Sequence, residues 1–230
     1  MSVPEPSVSA GGSEADAPVL LDSGNDTSST TTVVTGSVSP PANTLLLFCV
    51  HSSYGTARTV SSVTDTFTGG TAWSLVAETS YNRGASDNNI QVWGCVTGAT
   101  PGSGTVTMTW SGNINAQSHA LLEVGNTPTA SVAAAIGDTS VATDTLGTAT
   151  TISNSLTVGG TGYRHVSVVT VALASETITA DPQFTELVEE SQGAPSTTLQ
   201  VDHALEESSV DPTWTNGANC GIVSVEVLAA

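Results

Sequence analysis

Residues 105–124 read TVTMTWSGNINAQSHALLEV, and the fold is decided on this stretch. Val106, Met108 and Trp110 alternate with Thr105, Thr107 and Thr109; after the Ser111-Gly112-Asn113 break, Ala120, Leu122 and Val124 alternate with Leu121 and Glu123. Apolar residues at every second position suit a strand, whose side chains point to opposite faces in turn, and not the 3.6-residue period of a helix. A Gly/Asn break between two such runs predicts two half-buried antiparallel strands. The pattern returns near the C-terminus. PTWTNG at 212–217 precedes Val223, Val225 and Val227, which alternate with Ser224 and Glu226.

Outward from this stretch, the chain reads as two rounds of one pattern. LLLFCV at 45–50 is the near-continuous apolar run of a central strand, and residues 73–79 and 90–96 are further strands. Residues 166–173 answer 45–50, 184–191 answer 73–80 with one insertion, and 152–158 answer 33–38. Leu199-Gln200-Val201 answers Ile90-Gln91-Val92, and Trp214 answers Trp110. Residues 126–144 are an irregular connection offering one or two edge strands. The expected fold is all-β: an antiparallel, jelly-roll-like β-sandwich whose two sequence-similar halves (28–126 and 145–230) interleave in one domain, 28–230, with negligible helix. Residues 1–27, rich in Pro, Ser, Gly and acids, form an extended N-terminal arm too poor in apolar residues to pack alone. Val19, Leu20 and Leu21 are its sticky patch, suited to pairing on the sheet edge of a neighbouring subunit.

Charge bounds the function. The 230 residues carry 21 Asp and Glu against three Arg and no Lys, a net charge of −18. Nucleic-acid affinity rests on Lys and Arg neutralising phosphates, so nucleic acid is excluded as the main partner; anionic membrane surfaces are disfavoured for the same reason. No run is long and apolar enough for membrane insertion, and the N-terminus lacks the basic and apolar regions of a secretory signal. Absence of Lys favours adaptation to concentrated salt, where the Debye length falls to about 3 Å at 1 M and carboxylate repulsion is screened. The odd set Cys49, Cys95 and Cys220 lies in apolar runs without CxxC spacing and reads as buried thiols.

Candidate chemistry is sparse. Trp73, Trp110, Phe184 and Trp214 sit at repeated strand ends and read as core anchors rather than a sugar-stacking platform. Glu123 and Glu226 hold equivalent places on the face opposite the apolar residues and read as a solvated surface pair rather than an acid/base dyad. The four histidines lie in separate segments with no HxH or HExxH spacing, and no GxSxG elbow occurs. Asp65, Asp87, Asp138 and Asp144 are loop carboxylates of the type that bind Ca²⁺, without the DxDxDG pattern. The polar loop YNRGASDNN at 81–89, with Tyr81, Asn82, Arg83 and Asp87, is the candidate ligand loop, and 111–118 is expected to face outward with it. No catalytic or cofactor-binding residue is assigned.

The layout ANTLLLFCV, VSSVTDTFTGGTAWSLVAE, IQVWGCV, TPGSGTVTMTWSGN and HALLEV, then a second round ending NCGIVSVEVL, resembles β-sandwich domains of tailed-virus structural proteins and bacterial surface proteins. The resemblance covers nearly everything after the arm. With the acidity, it implies a non-enzymatic structural protein on the exterior of a virion infecting a halophilic host, as a capsid decoration, turret or tail component. Its partners would be other copies of itself and other virion proteins, and no cofactor is implied. The alternative is a host-adhesion module that binds a surface glycan through the 81–89 loop.

Overall fold

The computed structural model describes residues 13–230 apart from 57, 84, 85, 174, 175 and 194. The first half contributes β1 (Val19–Asp26), β2 (Thr30–Val34), β3 (Leu45–Tyr54), β4 (Val60–Asp65), β5 (Ser74–Arg83), β6 (Ser86–Val96), β7 (Val106–Ile114) and β8 (Ala116–Val124). After the single-turn helix α1 (Val132–Ala135), capped by Ser131, come β9 (Ile136–Thr151), β10 (Asn154–Ser155), β11 (Arg164–Val171), β12 (Thr185–Gly193), β13 (Ser196–Leu205), β14 (Ser209–Val210) and β15 (Thr213–Val227). All named strand pairs are antiparallel. The molecule is an all-β sandwich.

Two five-stranded sheets form its middle. One runs β1-β8-β3-β6-β5, the other β9-β15-β11-β13-β12; the first takes all its strands from before residue 126 and the second all of its from after residue 135. The expected interleaving is therefore not found. Leu45, Leu47, Cys49, Val92 and Leu122 of the first sheet meet Val166, Val168, Leu199, Val201, Val223 and Val225 of the second in a shared central core. Each sheet also buries its other face. The small sheet β2-β7-β4 closes a first-half outer core around Leu46, Phe48, Met108 and Trp110. The ribbon β10-β14 and neighbouring loops close a second-half outer core around Val169, Ile178, Phe184, Val210 and Trp214. With both faces covered, nearly every residue of β3 and β11 is buried, rather than every second one.

Four expectations need correction. The strands flanking Ser111-Gly112-Asn113 are not a hairpin: β7 belongs to the outer sheet and β8 to the inner one, so the chain changes layer at Asn115. The break accommodates that crossing, and residues 116–118 are buried, not outward-facing. The 126–144 connection does hold an edge strand, the first part of the 16-residue β9 with its alternating exposure, but only Asn154–Ser155 of the expected 152–158 strand forms a strand, β10. Finally, Val19, Leu20 and Leu21 lie in β1, paired with β8 of the same chain, Leu20 against the central core and Leu21 against the first-half outer core. An edge strand takes its hydrogen bonds from the neighbouring backbone, so it needs few apolar side chains of its own. Residues 1–12 of the expected arm lie outside the described residues.

Candidate functional site

The register allows the halves to be compared residue by residue. Gln91 lies opposite Val50, and Gln200 opposite Val169, in the two middle sheets. Glu123 faces Leu46 and Glu226 faces His165, which gives the same offset from independent strands. Phe48 then corresponds to Ser167, Trp93 to Asp202, Leu121 to Ser224 and Leu46 to His165. In the first half one row across the outer face is Trp93–Phe48–Leu121; in the second the same row is Asp202–Ser167–Ser224, with His165 in the next row. A hydrophobic plug has been replaced by a buried polar cluster.

That cluster is sealed. His165, Ser167, Asp202 and Ser224 are fully buried. The His165 Nδ1 lies 3.0 Å from the Glu207 carbonyl oxygen, which can only accept, so Nδ1 carries the hydrogen and Nε2 is a bare acceptor. His165 Nε2, Ser167 Oγ and both Asp202 oxygens are without a hydrogen-bond partner. Burial pushes the Asp202 carboxyl up to about 7; the Ser167 hydroxyl, close enough to act on the carboxyl, opposes the rise, and Asp181 and Glu186 reinforce it. Burial also holds His165 down at about 4. Phe184 closes over the imidazole edge-on, ring centroids 4.9 Å apart, and Asn154 hydrogen-bonds Ser224 and Ser140 alongside.

Serine, histidine and aspartate side by side invite comparison with a nucleophilic triad, but the roles do not match. A triad carboxylate holds the Nδ1–H of its histidine; here a backbone carbonyl does. Ser167 has no exposure to a substrate. The grooves found lie elsewhere: about 430 Å³ along Leu75, Val76, Val132 and Ile136, about 310 Å³ beside Asn43, Glu123 and Asn126, and about 170 Å³ beside Leu173 and Asn219. Among the described residues no group of three His, Cys, Asp or Glu is placed to hold a metal ion.

Glu123 and Glu226 are not a solvated pair. Glu226 is buried and accepts from the backbone N–H groups of Asp138 (2.8 Å) and Gly159 (3.3 Å). Glu123 is half-buried beside the 310 Å³ groove, its Oε2 has no partner, and burial raises its pKa. Strand alternation put both on an outer face correctly, but each outer face is covered.

The candidate ligand loop is a hairpin instead. Tyr81 pairs with Asn88, Asn82 with Asp87 and Arg83 with Ser86 across β5 and β6. Tyr81 is in the central core, where its hydroxyl accepts from Thr170 Oγ1 at 2.9 Å and its ring packs so closely on Gly221 that a Cβ there would lie 2.8 Å away. It cannot also present itself to a ligand. Asn82 is exposed, and its carbonyl accepts from the Asn219 side chain; the Arg83 side chain lies outside the described residues. The Ca²⁺ candidates are dispersed. Asp65 accepts from Trp73 Nε1 and the Phe67 N–H, Asp138 from the Thr157 N–H, Asp144 from the Leu146 N–H, and Asp87 sits in the hairpin.

Trp110, Trp214 and Phe184 are buried in the outer cores, and Trp73 is half-buried on Phe48. Cys49, Cys95 and Cys220 are buried free thiols. The residues that sequence reading missed are His165, Ser167 and Asp202. Their signal was available: polar residues inside the runs RHVSVVTV and LQVDHAL, at places where the first round has Leu46, Phe48 and Trp93. Compared with family models, curated proteins and solved structures, the chain matches none.

Proposed function

We propose that this chain is a non-enzymatic structural protein, displayed on the exterior of a virion and assembling with copies of itself and with other particle proteins. The observation that supports this best is the sealing of the Ser/His/Asp cluster, whose side chains are fully buried between a sheet and its cover. The acidity supplies the setting, since 21 acids against three Arg suit a surface bathed in concentrated salt. The sequence resemblance to virion and surface sandwiches points the same way. Exposed edges, such as β9 with Val141 and Leu146, are the surfaces offered for assembly.

Immunogold labelling of unopened particles and of cells from the source culture, with antibodies against the folded chain, tests the reading. Label on the particle surface is the expected result. Label confined to the cell interior, with bare particles, would overturn it.

A further inference from the structure

The buried cluster of the second half has too many acceptors. Among the described residues the two Asp202 oxygens, the His165 Nε2 lone pair and Gln200 Oε1 have no settled donor, and the Ser167 hydroxyl, which acts on the Asp202 carboxyl, has a single hydrogen to offer all four. His165 lies opposite Ala204, two residues from Asp202 on the same face, so imidazole and carboxyl are diagonal neighbours. In the first half the corresponding diagonal is Leu46 and Trp93, with no charge to bury.

Every charged group facing this pair is an acid. Glu186 lies opposite Asp202 on β12. Glu189, on the same strand, accepts from the Ile178 N–H. Asp181 comes from the turn before β12, where its carboxylate accepts from the Gln183 and Asp211 N–H groups. From β15, Glu226 lies opposite His165 and is held by two backbone N–H groups. The Glu207 carbonyl occupies His165 Nδ1. The chain has no Lys, and Arg164, next to His165, donates instead to the Ala15 carbonyl. No cation is at hand among the described residues to hold Asp202 as an anion.

We propose that His165 and Asp202 form an uncharged pair inside the second half, with the proton held on the Asp202 carboxyl and the imidazole neutral, the reverse of their order in water. One proton on Asp202 turns an orphan acceptor into a donor aimed among His165 Nε2, Ser167 Oγ and Gln200 Oε1, and removes the cost of an unpaired buried charge. When the cover opens to water the proton returns to the imidazole. Closed and open states then bind the same number of protons between about pH 4 and 6.5, so the pair as a whole adds no pH slope there.

Single substitutions expose the two halves of that balance. His165 alone, lowered from 6.5 to about 4 in the fold, makes stability rise with pH; Asp202 alone, raised from 3.8 to about 7, makes it fall. Relative to wild type, Asp202→Asn should therefore gain stability as pH rises from about 4 to 7, up to roughly tenfold in the folding constant per pH unit. His165→Gln, which keeps a donor for the Glu207 carbonyl, should lose it at a similar rate from about pH 4 to 6.5.

The test is chemical denaturation of the full-length wild type and both variants at fixed high ionic strength across this range, with EDTA throughout. Relative slopes of opposite sign are the expected result; slopes of the same sign, or none, overturn the pair. Should either variant not fold, carboxyl-carbon and imidazole-nitrogen NMR on the wild type decides. A titration of Asp202 near pH 7 with His165 neutral at pH 6 supports the proposal, and an ionised Asp202 at pH 6 sinks it. Elemental analysis of protein purified without chelator is the last arm: no bound metal is expected, and one equivalent that Asp202→Asn abolishes would replace the proton by an ion.

Discussion

Corresponding rows of the two middle sheets are filled in two ways. In the first half Trp93, Phe48 and Leu121 wedge beneath the β2-β7-β4 cover, with Trp73 edge-on to Phe48 at 6.1 Å between centroids. In the second half Asp202, Ser167 and Ser224 lie beneath a much smaller cover, the β10-β14 ribbon and the loops carrying Ile178 and Phe184. Apart from the partly buried Trp93 both rows are buried, but the second has unpartnered polar atoms where the first has dispersion contacts. A strand order can evidently be kept while the chemistry beneath its cover changes, because backbone ladders do not depend on which side chains stand on them.

The comparison breaks first at Phe48. Phe48→Ala should destabilise by about 3–5 kcal/mol, from lost burial plus a cavity, whereas Ser167→Ala at the corresponding place should cost no more than about 1.5 kcal/mol, the scale of one hydrogen bond, since it removes a single hydroxyl and leaves almost no cavity. Equal losses in guanidinium titrations would mean that the two rows carry the same load.

Next comes pH, read in the central layer that both halves share. His51 is fully buried there, its Nε2 donating to Asn88 Oδ1 at 3.1 Å, and burial lowers it from 6.5 to about 4. The native state holds His51 neutral, so its contribution is complete above pH 6.5 and is lost as pH falls towards 4, by on the order of 3 kcal/mol. His51→Asn should flatten the dependence of the unfolding midpoint between pH 4 and 6.5. An unaltered slope would remove His51 as its source.

A smaller effect is expected at Gly221, where the two middle sheets pack against each other. At Gly221 an added Cβ would meet the Tyr81 ring at 2.8 Å and Ile90 at 3.0 Å, and Gly221→Ala should cost about 1–3 kcal/mol. The corresponding first-half residue is Ser118, which already has a side chain, so Ser118→Ala should be near neutral. A neutral Gly221→Ala in thermal unfolding would show that Tyr81 yields easily.

Smallest is the tryptophan pair. Trp214 Nε1 donates to the Ala149 carbonyl at 2.8 Å, while Trp110 Nε1 has no partner. Trp214→Phe should therefore lose about 1 kcal/mol more than Trp110→Phe; the reverse order in paired denaturation curves would contradict the hydrogen-bond assignment.

Much of this was legible from residue order alone. Alternation in TVTMTW and the apolar run LLLFCV determined strands rather than helices, because side-chain period follows from local backbone geometry. The recurrence of Trp, Gln and Glu in answering strands suggested the half-to-half comparison, but the strand register supplied its offset. What only the tertiary structure decided was layer and cover. Nothing local says that Asn115 changes sheets, that Val19–Asp26 is the edge of its own sheet, or that the face carrying Glu226 is roofed over. Alternation names two faces without saying which one meets water, and Asp202, His165 and Tyr81 owe their chemistry to that second fact, since burial is set by residues distant in the chain.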